Sequence, residues 1–350
     1  MSKFLSDKFK SLSPYVPGEQ PKGMQYIKLN TNESPFEPSQ GVLEAVAKEA
    51  NKLQLYSDPD LTELIKTLAE VYGVSTKNVI ATNGSDEVLN FAFMAYTDRE
   101  NGAAFANITY GFYSVFAKLH GCPYTEIPLK EDFSIDPEDY CGINKTIFIA
   151  NPNAPTGLTI TLEKIREILR TNPHNVVVID EAYVDFGGES AVSLINEFDN
   201  LLVTGTFSKS RSLAGARLGF GFASEKIIED LNTIRFSTNP YNVNRMTLAA
   251  GVASLKEDDY NKANCQKIIA TRARVKKELE NLGFFVLDSK ANFLFAKKDG
   301  VRGKELYLGL KEKGVLVRHF DKEIIGDFLR ITIGTDLQMD KFLECLKELL

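Results

Sequence analysis

A lysine placed just after a buried strand can do chemistry that a surface lysine cannot. In LLVTGTFSKSRSLAGARLGF, Lys209 follows an apolar run and sits among hydroxyls and glycines, with Thr206 and Ser208 before it and Arg217 after it. Most lysines are solvated surface residues. An amine held at the end of a buried strand can instead condense with an aldehyde cofactor. Thr206, Ser208 and Arg217 could then hold a phosphate carried by that cofactor. Upstream, in NVVVIDEAYVDF, Asp180 closes another apolar run, which sets its carboxylate at the rim of a sheet. A single acid there could cap a helix or pair with an arginine. A buried carboxylate is costly unless a cation meets it, and a protonated pyridine nitrogen would be such a cation. Tyr183 could face the same site.

Two further strand ends carry polar residues. In VIATNGSDEVLNFA a short strand runs through Asn83, Gly84, Ser85 and Asp86 directly into a helix. Gly84 permits a tight turn, and Ser85 or Asp86 can cap a helix whose free N–H groups form an anion site. An ordinary well-capped helix would look the same. In IFIANPNAPTG two prolines and a glycine stiffen the loop after a buried strand, so that an Asn amide could be held against a ligand.

The elements that must position these groups alternate along the chain. Strands are expected at 78–81, 103–106, 146–150, 176–179, 201–204 and 220–223, with helices at 87–96, 111–120 and 162–170 between several of them. Such alternation implies crossovers and a mostly parallel sheet covered by helices, with its chemistry at the carboxyl ends of the strands. Residues 1–40 show little periodicity and are rich in Pro, Asn and Ser. Residues 245–283 read as one long charged helix. Short strands follow at 284–287, 292–295, 315–318 and 329–333, and a last helix begins near Gln338. A second, α+β domain built from both chain ends is the simplest arrangement.

The chain has 350 residues, 43% of them hydrophobic, enough for one large and one smaller domain. A formal net charge of −6 argues against nucleic acid or an anionic membrane as the main partner. No apolar run is long enough for a transmembrane helix, and the start, MSKFLSDKFKSLSPY, lacks the apolar core of a signal peptide. Cys122, Cys141, Cys265 and Cys345 are scattered, which fits reduced thiols in a cytoplasm better than disulfides or a metal site. The three histidines form no zinc-binding pattern, and no metal is expected.

Taken in order, Gly84-Ser85-Asp86, Tyr110, NPNAPTG, Asp180-Glu181-Ala182-Tyr183, Ser208-Lys209 and Arg217 resemble the fold-type-I aminotransferases that use pyridoxal 5'-phosphate (PLP). The separation of Asp180 from Lys209 also fits that family. Toward the chain ends, SPYVPGEQ, LNTNESPF, LYSDPD, YNVNR, VLVRHF and LRITIGT are similar to its histidinol-phosphate aminotransferase branch, so the resemblance covers essentially the whole chain. Relatives acting on aromatic amino acids share several of these terminal motifs, and a threonine-phosphate decarboxylase shares the fold.

The resemblance implies an α/β fold: a large domain with a mostly parallel seven-stranded sheet over residues 46–260, and a small domain assembled from an N-terminal arm (1–45) and residues 261–350. It implies transfer of an amino group from L-histidinol phosphate to 2-oxoglutarate. Lys209 would bond the cofactor and shuttle the proton, Asp180 would pair with the pyridine nitrogen, and Tyr183 would bond the ring's 3-oxygen. Tyr110 would stack on the ring. Gly84, Ser85 and Asp86 would join Thr206, Ser208 and Arg217 at the phosphate. Tyr56 would reach the phosphate of a neighbouring subunit in a homodimer. Tyr15, Asn32, Arg318 and Arg330 would bind substrate. The family has an Asn immediately before Pro-Thr-Gly; here that position is Ala154, and Asn153 is the candidate replacement.

Overall fold

The computed structural model describes residues 2–10, 12–21 and 25–350. Among them, twelve strands form two sheets. The smaller sheet holds β1 (Ile27–Leu29), β9 (Phe285–Val286), β10 (Phe293–Lys297), β11 (Val315–His319) and β12 (Leu329–Thr332), in the order β1-β11-β12-β10-β9. The larger holds β2 (Val79–Thr82), β3 (Ala103–Ala106), β4 (Tyr124–Ile127), β5 (Thr146–Ala150), β6 (Val177–Asp180), β7 (Leu201–Thr206) and β8 (Gly219–Ala223), in the order β2-β8-β7-β6-β5-β3-β4.

In the large sheet only β8 runs against its neighbours, pairing antiparallel with both β2 and β7. The carboxyl ends of the other six therefore share one edge. The strands are apolar on both faces, as a sheet covered on both sides requires. Pleating divides each strand between two cores: Ile147, Ile149, Val177, Ile179, Leu201 and Val203 pack on one side, while Phe148, Val178 and Leu202 pack on the other. The helix Leu162–Thr171 covers the first face through Ile165, Ile168 and Leu169, at helical spacing, and Thr161 caps it by accepting from the Lys164 N–H. The edge strand β4 exposes Thr125 and Glu126.

Both chain ends meet in the small sheet. β1 pairs parallel with β11, and β10 and β12 pair antiparallel over a core that includes Leu29, Leu294, Val317 and Ile331. The helix Gln40–Ala50, which spans position 45, buries Val42 in the core of the large sheet.

The structure departs from the sequence expectation in three places. The segment read as one helix over 245–283 is two, Arg245–Lys256 and Asp258–Asn281, broken at Glu257 (φ −105°, ψ 40°). The last helix begins at Asp336, because Thr335 is its cap and Gln338 closes a capping box instead of starting the helix. β1 and β4, and the helices Gln40–Ala50, Thr62–Tyr72 and Glu225–Thr238, were not anticipated.

Candidate active site

The shared edge of the large sheet gathers the sequence-predicted residues. A cavity of about 110 Å³ is lined by Ser85 and Asp86 past β2, Tyr110 past β3, Pro152 and Ala154 past β5, Asp180 and Tyr183 at and after β6, and Thr206, Ser208, Lys209 and Arg217 around the β7–β8 turn. Each element ends at this edge because its apolar run ends there.

Asp180 forms the floor. It is 4% exposed, and no salt bridge reaches it among the described residues. Tyr113 donates a hydrogen bond to Oδ2 (2.9 Å), and the Ala182 N–H donates to Oδ1 (3.2 Å). Burial lifts the carboxyl to about 6 although both hydrogen bonds pull it down. A buried carboxylate facing a cavity without a cation is what a protonated ring nitrogen would satisfy.

Lys209 lines the same cavity, half-buried, with Nζ donating to the Thr31 carbonyl at 3.1 Å. Burial lowers its amine to about 8, and the Arg330 guanidinium adds to that effect.

The far end is an anion cradle. The helix Ser85–Tyr96 points its first N–H groups into it, and Gly84 reaches the required φ of 83°. A Cβ on Gly84 would come within 2.7 Å of Arg217 Nη2. Gly219 is tighter still: its Cβ would meet the Ser85 nitrogen at 2.1 Å, so β8 could not lie against the turn with any other residue there. Arg217 bonds Asp86 (3.1 Å) and Ser208 (3.4 Å), Tyr110 donates to the other Asp86 oxygen (2.7 Å), and Thr206 donates to Ser208 (3.0 Å). These residues fit PLP: a cationic ring on Asp180, an aldehyde at Lys209 and a phosphate at the cradle.

A second cavity, about 260 Å³, opens beside the first and shares Tyr110, Ala154, Tyr183 and Lys209 with it. Tyr15, Asn32, Arg318 and Arg330 all line it. Arg330 Nη2 donates to the Asn30 carbonyl (3.0 Å), its plane lies over Phe293 and Phe320, and its buried Nε has no partner among the described residues. Arg318 donates to the Val16 and Pro17 carbonyls (both 3.3 Å), and Tyr15 stacks on Phe112 at 4.3 Å. The N-terminal arm is thereby laid along the cavity.

Two predicted residues lie elsewhere. The Asn153 side chain turns into its own loop: Nδ2 donates to the Ile108 carbonyl and to Thr156, and Oδ1 accepts from Thr109. With its donors and acceptor engaged and 1% exposure, it does not face the first cavity, which Ala154 lines instead. Tyr56 lies outside both cavities, 78% exposed and stacked on Tyr241 at 4.5 Å.

The sequence reading missed Tyr113 and Thr332. Tyr113 is fully buried in the helix Phe112–His120, where its spacing reads as core. Among the described residues, Thr332 reaches the site only through Asn32.

Fold and site together define a PLP-dependent transferase of the fold-type-I kind. The chain belongs to the aminotransferase class I and II family, whose model matches residues 24–346. It is 50% identical over 349 residues to the histidinol-phosphate aminotransferase of Brachyspira hyodysenteriae, covering 99% of each chain. It is 49% identical to the enzyme of that name from Clostridium acetobutylicum, again over 99% of both. A crystal structure of histidinol-phosphate aminotransferase from Sinorhizobium meliloti, in complex with pyridoxal-5'-phosphate, superposes with a TM-score of 0.91 at 24% identity, over 100% of this chain and 98% of that one.

Proposed function

We propose that the protein is a PLP-dependent aminotransferase of histidine biosynthesis, converting L-histidinol phosphate and 2-oxoglutarate to imidazole-acetol phosphate and L-glutamate. The observation that carries this reading is the position of Lys209: its amine, lowered to about 8, sits where a cavity ending on Asp180 meets one lined by Arg318 and Arg330.

When bound, PLP supplies an electron sink that makes the substrate's α-hydrogen acidic. The chain supplies the rest. Asp180 holds the ring nitrogen's proton by charge pairing in a buried place. Lys209 Nζ takes the proton from the substrate's α-carbon; with its basicity reduced by burial, it is in part a free amine near neutral pH. Gly84, Ser85 and Asp86, through backbone N–H groups, share the phosphate with Thr206, Ser208 and Arg217. Tyr110 would cover the ring, and Tyr183 would bond its 3-oxygen. Arg330, with Arg318 beside it, takes the anionic end of either substrate: the phosphate of histidinol phosphate or a carboxylate of glutamate and 2-oxoglutarate. Tyr15 and Asn32 complete that pocket.

The same reading makes the enzyme a homodimer. Tyr56, exposed and away from its own chain's cavities, is free to reach the phosphate end of a second subunit's site. It also divides the chain into an arm (1–45), a large domain (46–260) and a small domain (261–350), and it puts the enzyme in the cytoplasm, in keeping with four free cysteines. No described helix is long and apolar enough to cross a membrane.

The test is a comparison of kcat/KM for histidinol phosphate with that for phenylalanine and tyrosine, using purified PLP-loaded protein and 2-oxoglutarate. Histidinol phosphate is expected to be the preferred donor. Preference for an aromatic amino acid would move the assignment to an aromatic aminotransferase.

A further inference from the structure

Asn32 is held in a backbone conformation that non-glycine residues seldom take. Its φ is 57°, and it is 1% exposed. Contacts from distant parts of the chain keep it there. Its N–H donates to Thr332 Oγ1 at the end of β12 (3.0 Å), and its carbonyl accepts from Asn292 Nδ2 (3.0 Å). Its side chain then bridges two hydroxyls: Oδ1 accepts from Thr332 (2.9 Å), and Nδ2 donates to Tyr183 (2.9 Å).

The direction of this chain follows from counting donors. Thr332 is 2% exposed, and its hydroxyl has no partner but Asn32 among the described residues. It already accepts from the Asn32 N–H, so its own proton needs an acceptor, and Oδ1 is the one available. Rotating the Asn32 amide by half a turn would bury that proton unpaired. It would also offer Tyr183 a carbonyl oxygen to donate to, in place of an NH₂ to accept from.

We propose that Thr332 is a positioning residue: by claiming Oδ1, it fixes the Asn32 amide so that Tyr183 accepts from Asn32 and keeps its own proton for an acceptor inside the cavity. This rests on the reading that the cofactor's ring 3-oxygen is that acceptor. A donor there stabilises the oxygen's anionic form, so the bound chromophore gives up its proton at a lower pH. Without Thr332, the amide is free to turn and Tyr183 donates outward, to Asn32.

The experiment titrates the visible absorbance of the PLP-loaded protein against pH. Thr332→Val, close in shape but without the hydroxyl, is expected to raise the midpoint by about one pH unit, the size of one charge-assisted hydrogen bond. Thr332→Ser is expected to restore the wild-type midpoint. In a Tyr183→Phe background, Thr332→Val should add no further shift. A wild-type midpoint in Thr332→Val would overturn the proposal, and so would an equal shift in the Tyr183→Phe background. Thr332→Ala is read in parallel. Loss of the fold in both hydroxyl-free variants, with Thr332→Ser intact, would make Thr332 structural only and would also overturn it. Absence of any bound chromophore in the wild type is a different failure, since it would remove the cofactor reading itself.

Discussion

The Tyr113 hydroxyl donates to Asp180 Oδ2 at 2.9 Å, from a helix on one face of the sheet to the last residue of a central strand. It meets part of the hydrogen-bonding need of a buried carboxylate and leaves the charge to be met from the cavity. The cofactor-free protein therefore carries a cost that a cationic ring in the cavity would remove.

That cost depends on pH. Asp180 is raised to about 6, and its neighbour Glu181, buried against Ser190 and the Ala191 N–H, is raised to about 8, in both cases first by burial. For a carboxyl raised in the folded state, the folded protein holds the proton more tightly than the unfolded chain does. Stability is then fully present below the unfolded value near 4 and is lost as pH rises through the folded value. The Tm of cofactor-free protein is expected to fall from about pH 4 to about pH 8 on account of these two groups. Glu181→Gln should flatten the upper part of that fall. Added PLP should raise Tm more at the alkaline end of the Asp180 window than at its acid end. An equal gain at both ends would show that Asp180 does not meet a cation on the cofactor.

Asp180→Asn removes the anion but keeps the shape. Turnover is expected to drop by orders of magnitude at saturating PLP while some cofactor still binds. Turnover like that of the wild type would make Asp180 a structural residue.

Among the described residues, Lys209 is the one amine that lines both cavities. Borohydride reduction of the PLP-loaded protein, followed by peptide mapping, should place the pyridoxyl label on Lys209. Lys209→Ala should abolish transamination with the fold intact by circular dichroism. A label on any other lysine would sink the central assignment.

The proposed sharing of sites between subunits can be tested by mixing. Lys209→Ala and Tyr56→Ala proteins, each severely impaired alone, should recover part of the wild-type activity once their subunits exchange, because one site of the heterodimer then carries both native residues. Verified heterodimers that recover nothing would remove Tyr56 from the neighbouring site.

How much of this was legible in the sequence depends on how far each contact reaches. Asp180 and Lys209 were legible because each puts a charged group just past an apolar run, and a strand's end is where a sheet keeps its polar groups. Arg318 and Arg330 were named through the resemblance, and the pairing of β11 with β12 sets them opposite each other. Tyr113 and Thr332 were not: one sits at helical spacing among aromatics, the other closes a strand, and their partners lie 67 and 300 residues away. The break at Glu257 was hidden because charged and small residues run through it without a proline or glycine. β1 is three residues long, too short for alternation to register. Asn153 misled because the rigid loop after β5 does hold an amide in place, but for the loop's own hydrogen bonds.

On the proposed function, substrate choice would turn on the two arginines. Arg318 and Arg330 face each other in the register of β11 and β12, and like charges directly opposite on paired strands destabilise each other. Such a pair is relieved by an anion between or beside the two guanidiniums, and a phosphate dianion relieves it more than a single carboxylate does. Arg330, whose buried Nε has no partner among the described residues, would be the primary ligand on the proposed function; Arg318, half-buried and bonded to the arm's carbonyls, would be the second. Arg330→Ala is expected to raise KM for both histidinol phosphate and glutamate. Arg318→Ala should harm histidinol phosphate more than glutamate. A lost charge-assisted hydrogen bond is worth about 1.5–3 kcal/mol, or roughly tenfold to a hundredfold in kcat/KM. Steady-state kinetics of both variants with both donors decide the matter. Equal losses for the two donors in Arg318→Ala would mean that Arg318 serves the arm and not the phosphate, and discrimination between donors would then have to come from the rest of the second cavity.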